Sequence, residues 1–215
     1  MPFYQPSHDV LSSRNATIGA LFHARVPANP SQRAVVEGTR VLNYLELEER
    51  SNRLANALLE LGLARGDRVG LLARNCLEYL EVELAAAKAG LILACLNWRL
   101  GDRELQHCIT LVEPKVVIAQ ADLTPALDRL EFPPHQRITI GAEYESFMAA
   151  ASERYPDLEI DPESGLVILY TSGTTGLPKG ALVSHRAMVA RGMCFTSEFE
   201  VPIGDNFCAW APFYH

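Results

Sequence analysis

Residues Leu166 to Gly180 read LVILYTSGTTGLPKG, and the character of the chain changes abruptly after Tyr170. The apolar run that ends there is typical of a buried strand. The next ten residues contain four hydroxyl side chains, three glycines, one proline and one lysine. The backbone N–H groups of such a loop can converge on an anion, and Lys179 adds a positive charge. The stretch therefore predicts a strand that leads into a polyphosphate-binding loop, with a solvated surface loop as the alternative.

The loop matches none of the standard phosphate-binding or nucleophile motifs. A Walker loop counted from Gly173 requires glycine where Pro178 stands, and the dinucleotide pattern requires glycine at Thr175. A nucleophile elbow around Ser172 requires glycine at Tyr170. Hydroxyl oxygens are also ligands that magnesium accepts. The residues alone thus favour anion binding without indicating a reaction.

Helices and short apolar strands alternate along the chain before this loop. The patterns predict a hairpin over 34–42, strands over 68–73, 91–96, 115–119, 137–140, 166–170 and 181–183, and helices over 17–26, 43–61, 75–89, 102–112, 124–130, 143–154 and 184–195. Such alternation predicts an α/β fold with a mainly parallel sheet flanked by helices.

Several of these helices begin with recognisable capping signals. Asn43 with Glu46, and Asn75 with Glu78, have the spacing of a capping box. Ser184 is expected to cap the last helix. The helix after Asn43 is expected to turn one apolar face to the core, formed by Leu47, Leu54, Leu58 and Leu61. Its charged side chains are expected on a solvated face: Glu46, Glu48, Glu49 and Arg50.

The composition of the chain narrows the class of protein. It has 215 residues, of which 48% are hydrophobic and 21% charged, as in a soluble globular protein. The formal net charge of −7 argues against non-specific nucleic-acid binding. No stretch has the apolar length of a membrane span, and the N-terminus lacks a signal pattern. Five cysteines without a C-x-x-C pair favour a reduced, cytoplasmic protein, with Cys76, Cys95 and Cys108 buried.

Eleven consecutive residues, YTSGTTGLPKG at 170–180, resemble the signature of the adenylate-forming (AMP-binding) superfamily. This superfamily comprises acyl- and aryl-CoA synthetases, firefly luciferases and the adenylation domains of peptide synthetases. The segments LNYLEL at 42–47 and AAAKAG at 85–90 resemble further blocks of the same family. NWRL at 97–100 and APFYH at 211–215 resemble the acyl- and aryl-CoA synthetase branch. The resemblance extends from about residue 17 to the last residue.

The resemblance implies a reaction in two steps. A carboxylic acid, fatty or aromatic, attacks the α-phosphate of ATP, and pyrophosphate leaves behind an acyl-adenylate. The thiol of coenzyme A then takes the acyl group. ATP, Mg²⁺ and coenzyme A are therefore the expected cofactors and partners. The chain would be the N-terminal portion of the large domain, divided into an extension (1–16), a first α/β subdomain (17–154), a connection (155–165) and the start of a second subdomain (166–215).

The resemblance also implies roles for individual residues. Thr171 would lie near the metal ion, and Lys179 would act catalytically as a counter-charge to phosphate. His215 would act catalytically beside the carboxylate. The residues that would hold ATP and pyrophosphate are Thr171, Ser172, Gly173, Thr174, Thr175, Gly176 and Lys179. The residues that would border the acyl site are Phe213, Tyr214 and His215.

Some alternatives stay open at the level of sequence. The chain lacks the later family segments that contact adenine and ribose, so we expect it to be inactive by itself. A parallel sheet with an unpaired apolar edge is also expected to self-associate. The alternative functions are a non-catalytic phosphate- or nucleotide-binding module and an adenylating enzyme that delivers to a carrier-protein thiol. The acid itself is not indicated.

Overall fold

The computed structural model describes residues 16–131, 133–134, 136–171, 176–200 and 206–214. Their strands form a two-stranded hairpin and one six-stranded sheet. In chain order the elements are α1 (Ile18–Arg25), β1 (Arg33–Glu37), β2 (Arg40–Asn43), α2 (Tyr44–Glu60), β3 (Arg68–Leu72), α3 (Leu77–Ala89), β4 (Ile92–Leu96), α4 (Asp102–Val112), β5 (Val116–Gln120), α5 (Thr124–Asp128), β6 (Arg137–Ile140), α6 (Ala142–Met148), β7 (Gly165–Thr171), β8 (Lys179–Ser184) and α7 (His185–Glu198).

The large sheet has the strand order β6-β5-β3-β4-β7-β8. Every neighbouring pair is parallel except β7 with β8, which is antiparallel. A short loop joins β7 to β8, and only an antiparallel pair can be connected so directly. The predicted mainly parallel sheet is therefore confirmed. β8 forms one edge of this sheet with Leu182 exposed, and the expected self-association through an edge stays a prediction.

The core lies on both faces of this sheet. Alternate residues of β4 point to opposite faces, so that Leu93 and Cys95 join one cluster while Ala94 and Leu96 join the other. The first cluster packs against α2, α3 and α6, and the second against α4 and α5. The three cysteines predicted to be buried are buried. Within the described ranges, no helix combines the length and apolar character that a membrane crossing needs.

Helix capping agrees with the sequence at one of the two predicted boxes. The Glu46 N–H donates to Asn43 Oδ1 and the Asn43 N–H donates to Glu46 Oε2, both at 2.8 Å. The second box is wrong, because α3 begins at Leu77 with Cys76 as its N-cap. The Asn75 side chain makes long-range hydrogen bonds instead, which are described below. Ser184 caps α7 as predicted by accepting a hydrogen bond from the Ala187 N–H.

The helix predicted over 143–154 ends at Met148. Side chains of α2 bind backbone carbonyl oxygens in the segment that follows Met148. Asn56 Nδ2 donates to the carbonyls of Ser152 and Arg154 at 2.7 and 2.9 Å. Asn52 Nδ2 donates to the carbonyl of Glu153 at 2.9 Å. These tertiary hydrogen bonds satisfy the backbone outside a helix, so the periodic pattern overestimates its length.

Two expectations for the faces of α2 are wrong. Leu61 is 43% exposed because it lies just beyond the last turn, whereas the other three predicted leucines are buried. Glu48 is buried and binds Lys88, and Arg50 binds the buried carboxylate of Glu81. The partners lie on α3, so the charged side of α2 is partly an interface between helices.

Candidate active site

The predicted phosphate-binding loop connects β7 to β8. Thr171 is the last residue of β7 and Lys179 the first of β8, and the two residues face each other in the antiparallel ladder. Both are exposed, and Gly176 between them has a φ of 90°, which side chains disfavour. Residues 172–175, predicted to bind phosphate, lie outside the described residues. The fold thus brings the two ends of the predicted binding loop together.

The loop lies at the carboxyl edge of the parallel strands, because β7 runs parallel to β4 and leads directly into it. Ligands of open α/β sheets bind at this edge. Two further basic side chains follow neighbouring strands there. The guanidinium carbons of Arg74 and Arg99 each lie 4.9 Å from the centroid of the Trp98 ring. Arg74 also pairs with Asp122 at 2.6 Å, so its charge is partly neutralised.

Lys179 is suited to act as a counter-charge. Its side chain is exposed, and it makes no ion pair with any residue that the structure describes. No Asp or Glu lies within ten positions of Lys179 in the sequence, and the strand Lys179–Ser184 carries no carboxylate. An exposed ammonium at the base of a phosphate-binding loop can neutralise phosphate oxygens.

A magnesium ion fits this site only if phosphate supplies most of its ligands. No group of three or more His, Cys, Asp or Glu side chains suitable for a metal is present in the described part of the chain. The Thr171 hydroxyl is one hard oxygen ligand at the base of the loop, and magnesium commonly binds through one or two protein oxygens together with phosphate oxygens and water. The residues are therefore compatible with a metal–polyphosphate complex rather than with a metal bound by protein alone.

Helix α4 supports both ends of the loop. The Tyr170 hydroxyl donates to the Cys108 carbonyl at 3.1 Å, and His107 Nε2 lies 3.0 Å from the Pro178 carbonyl oxygen. Gly180 allows the close approach of β8, because a Cβ atom there would lie 3.0 Å from Cγ2 of Ile168. Its role is thus steric; the φ of Gly180 is not in the left-handed region, unlike that of Gly176.

The predicted acyl-site border is held by Asn75. Its Nδ2 donates to the carbonyls of Ala209 and Ala211 at 3.2 and 2.8 Å, and its Oδ1 accepts from the Phe213 N–H at 2.9 Å. The Phe213 ring lies 5.2 Å from that of Tyr79, centroid to centroid. Tyr214 is buried, and His215 lies outside the described residues.

A cavity of about 280 Å³ adjoins Phe213. Its walls include Leu169, Met188 and Cys95, which are apolar or weakly polar, and the carboxyl group of Glu83. Burial raises the pKa of Glu83. Leu169 precedes Thr171 by two residues, so one strand joins this cavity to the phosphate-binding loop. Such an arrangement could place a mostly apolar acid beside a bound polyphosphate.

The sequence matches the AMP-binding enzyme family over residues 22–215. The chain belongs to the AMP-binding enzyme family. This match confirms the resemblance drawn from the YTSGTTGLPKG signature, and it extends over both the loop and the Phe213 segment.

Several curated AMP-binding relatives are similar to this chain. Long-chain-fatty-acid–CoA ligase FadD13 of Mycobacterium tuberculosis (strain ATCC 25618 / H37Rv) is 34% identical over 92% of this chain and 41% of its own length. Fatty acid–[acyl-carrier-protein] ligase ScoC of Streptomyces coeruleorubidus is 32% identical over 90% and 38%. Feruloyl-CoA synthase of Amycolatopsis sp. is 32% identical over 94% and 40%. The chain thus spans 38–41% of the length of these curated relatives.

Solved structures of the family confirm the fold. The N-terminal domain of FACL13 from Mycobacterium tuberculosis, in an inhibitor-bound crystal structure, has a TM-score of 0.86 at 29% identity, covering 93% of this chain and 52% of that one. ATP-bound MatB from Rhodopseudomonas palustris has a TM-score of 0.83 at 28% identity, covering 94% and 41%. The α/β fold of this chain is therefore that of the N-terminal part of an adenylate-forming enzyme.

Reasoning from the residues missed two side chains that shape this site. The sequence predicts Asn75 only as a helix cap and assigns no role to His107. A signal existed for Asn75, because it follows a buried strand at the carboxyl edge, where ligand sites form. No local pattern pointed to His107, whose partner lies 71 residues away in the sequence.

Proposed function

We propose that this chain provides the phosphate-binding part of an ATP-dependent acid–CoA ligase, which joins a fatty or aromatic acid to coenzyme A through an acyl-adenylate. The observation that supports this most is the pairing of Thr171 with Lys179 at the base of the loop, beside a cavity bounded by Leu169 and Phe213. Because the chain spans 38–41% of its curated relatives, the complete reaction is a proposal about these residues within such an enzyme.

The first step requires charge neutralisation and positioning. A carboxylate oxygen forms a bond to the α-phosphorus of ATP, and the bond from that phosphorus to the bridging oxygen breaks. The bridging oxygen keeps the electron pair and leaves with pyrophosphate. Lys179 and the loop backbone would hold that leaving group, with Ser172, Gly173, Thr174, Thr175 and Gly176. Thr171 would contribute one oxygen to a magnesium ion held mainly by phosphate, and that ion would supply further charge neutralisation.

The second step requires the activated acyl group to meet a thiol. The thiol loses its proton to solvent, its sulfur forms a bond to the acyl carbon, and AMP leaves with the electron pair of the acyl–oxygen bond. Phe213 and Tyr214 would border the acid, and His215 would orient its carboxylate. FadD13 and feruloyl-CoA synthase favour coenzyme A as acceptor, while similarity to ScoC supports a carrier-protein thiol as the second candidate.

The proposed function includes a division of the chain into two subdomains. Residues 166–215 would begin a second subdomain after the connection at 155–165, and residues 17–154 would form the first. Strands from both parts share one sheet through the pairing of Leu93 with Val167. The site would therefore be built where the two parts meet.

The test is pyrophosphate binding by the 215-residue chain. Calorimetric titration with magnesium pyrophosphate should show binding that weakens roughly tenfold or more in Lys179→Ala, the loss of a charge-assisted hydrogen bond. Lys115→Ala is the matched control. Lys115 is an exposed lysine just before β5, and it forms an ion pair with Asp67. Unchanged binding in Lys179→Ala would overturn the proposed role of the loop.

A second assay addresses the reaction itself. Acid-dependent exchange of labelled pyrophosphate into ATP is expected to be absent from the 215-residue polypeptide by itself, since it spans only 38–41% of the curated relatives. Robust exchange would show that these residues suffice for adenylation. The two candidate acceptors can be separated with an active family enzyme that carries these residues. Its rate of acyl transfer to coenzyme A is compared with its rate of transfer to a carrier-protein thiol.

A further inference from the structure

The two ends of the loop rest on consecutive residues of α4. Tyr170 immediately precedes Thr171, and its hydroxyl donates to the Cys108 carbonyl at 3.1 Å. Pro178 immediately precedes Lys179, and its carbonyl oxygen lies 3.0 Å from His107 Nε2. One turn of α4 therefore fixes the backbone on both sides of the loop.

The bond to Pro178 is important because proline has no N–H group. Pro178 cannot donate to the β7 strand, so the chain that enters β8 lacks one backbone donor at this position. A carbonyl oxygen can only accept, so the bond requires a proton on His107 Nε2. Both the neutral imidazole with that proton and the imidazolium can donate, so the contact does not require a charged histidine.

Tight packing transmits this restraint to Lys179. Pro178 is buried, and Gly180 on the other side of Lys179 lies so close to Ile168 that even a methyl group would crowd it. The Lys179 backbone thus lies between two fixed residues, while its side chain stays exposed. The backbone thus fixes the point from which the flexible, exposed Lys179 side chain reaches towards the loop.

We propose that His107 is a positioning residue for pyrophosphate binding. Its Nε2–H group holds the Pro178 carbonyl, and through it the backbone that carries Lys179, at a fixed place opposite Thr171. This inference rests on the proposed function of the loop, because it assigns His107 to the same binding event without direct contact to phosphate.

The experiment compares four single variants and one double variant, His107→Phe/Lys179→Ala, of the 215-residue chain. His107→Phe keeps an aromatic ring but removes the donor, and His107→Gln keeps a side-chain N–H donor. Lys179→Ala removes the group through which His107 acts. Thr110→Ala is the matched control, because it removes a hydrogen bond from Gln106 on the same helix that does not involve the loop. Magnesium pyrophosphate affinity is measured by calorimetry, and folding by circular dichroism and thermal unfolding.

The expected pattern is specific to positioning. His107→Phe should bind magnesium pyrophosphate roughly two- to tenfold more weakly, as expected for one lost hydrogen bond. His107→Gln should restore most of that affinity, and Thr110→Ala should equal the wild type. In the Lys179→Ala background, His107→Phe should add no further loss. Equal affinity of His107→Phe and the wild type, or an equal loss in His107→Gln, would overturn the proposal.

A ligand-free measurement separates this inference from the proposed function. Trypsin cleavage after Lys179, followed by mass spectrometry, should be faster in His107→Phe than in the wild type or His107→Gln. If the wild type binds no pyrophosphate, the proposed function fails, and this cleavage rate still decides whether His107 holds the loop backbone. Equal cleavage rates in the wild type, His107→Phe and His107→Gln would show that it does not.

Discussion

The ammonium of Lys88 lies 2.6 Å from a carboxylate oxygen of Glu48, buried between α2 and α3. Ser51 Oγ and Asn52 Oδ1 complete its shell at 2.7 and 2.8 Å, and His23 Nδ1 of α1 lies 2.7 Å from the other Glu48 oxygen. Burial lowers the pKa of Lys88 to about 8. Burial would raise the pKa of Glu48, but the attraction of Lys88 and the hydrogen bonds to the carboxylate outweigh burial. The pKa of Glu48 is therefore lowered. These hydrogen bonds and ion pairs join helices α1, α2 and α3.

Removing Lys88 alone should destabilise the fold strongly. Lys88→Met leaves a buried carboxylate without its counter-charge, which costs roughly 3–5 kcal/mol of unfolding free energy. The double variant Lys88→Met/Glu48→Gln should recover much of this, because neither side chain is then charged. Urea denaturation at pH 7 measures the difference. Lys115→Met, which breaks an exposed pair with Asp67, should cost no more than about 1 kcal/mol. An equally small cost for Lys88→Met would contradict the prediction.

The cost of Lys88→Met should depend on pH. The pKa of Glu48 lies below its usual range in the folded chain, so its stabilisation is present above the unfolded pKa and is lost as pH falls through the folded pKa. The difference in unfolding free energy between wild type and Lys88→Met should therefore shrink below pH 4.5, the ordinary Glu value. The difference between the wild type and Lys88→Met/Glu48→Gln should change in the same direction, because the wild type still carries the titrating Glu48 and the double variant does not. A series of urea titrations from pH 7 to acid gives both curves; parallel curves would disprove the linkage.

The sequence predicted most elements of the fold because the signals are local. Helix α4 lies where its apolar period predicted, with Leu105, Ile109 and Val112 buried. β6 also has its predicted bounds, 137–140. The short α6 shows the limit, because the segment after Met148 is held by tertiary hydrogen bonds from α2, and no local period reports them.

The candidate site could be predicted only where one continuous segment carries it. The YTSGTTGLPKG stretch contains its own signal, and the structure places both its ends at the sheet edge. Contacts between distant segments were not visible. Lys88 and Glu48 lie 40 residues apart in the sequence. Because charged side chains on helices are usually solvated, the sequence predicts Glu48 on a solvated face, and this prediction is wrong.

Asn75 should determine the position of the acyl-site border segment. Asn75→Ala removes three hydrogen bonds to residues 209–213, and the Phe213 amide should exchange with solvent faster. Asn75→Asp keeps an acceptor for that amide and should preserve part of its protection. Asn56→Ala is the matched control, since its side chain also donates to two carbonyls but in another region. Hydrogen exchange followed by mass spectrometry measures this, and unchanged Phe213 protection in Asn75→Ala would refute it.

Glycine at position 180 should be required by packing rather than by backbone conformation. A Cβ atom there would lie 3.0 Å from Ile168 Cγ2, so Gly180→Ala should destabilise the chain by about 1–3 kcal/mol. The matched control is Gly192→Ala within α7, where the new methyl group would meet no atom within 4 Å outside its chain neighbours and the helix's own backbone. That change should stabilise the chain by roughly 0.5–1 kcal/mol, because alanine favours a helix over glycine.

The crowding at Gly180 should be relieved by shortening its neighbour. Ile168→Ala removes the methyl group that the new Cβ would meet, although it also costs about 2–5 kcal/mol by leaving a cavity. The double variant should therefore lose less than the sum of the two single losses, with a coupling of about 0.5–3 kcal/mol. Urea denaturation of the wild type, both single variants and the double variant completes the cycle. Additive losses would mean that β8 moves away from Ile168 in Gly180→Ala. The proposed steric role of Gly180 in holding Lys179 would then be wrong.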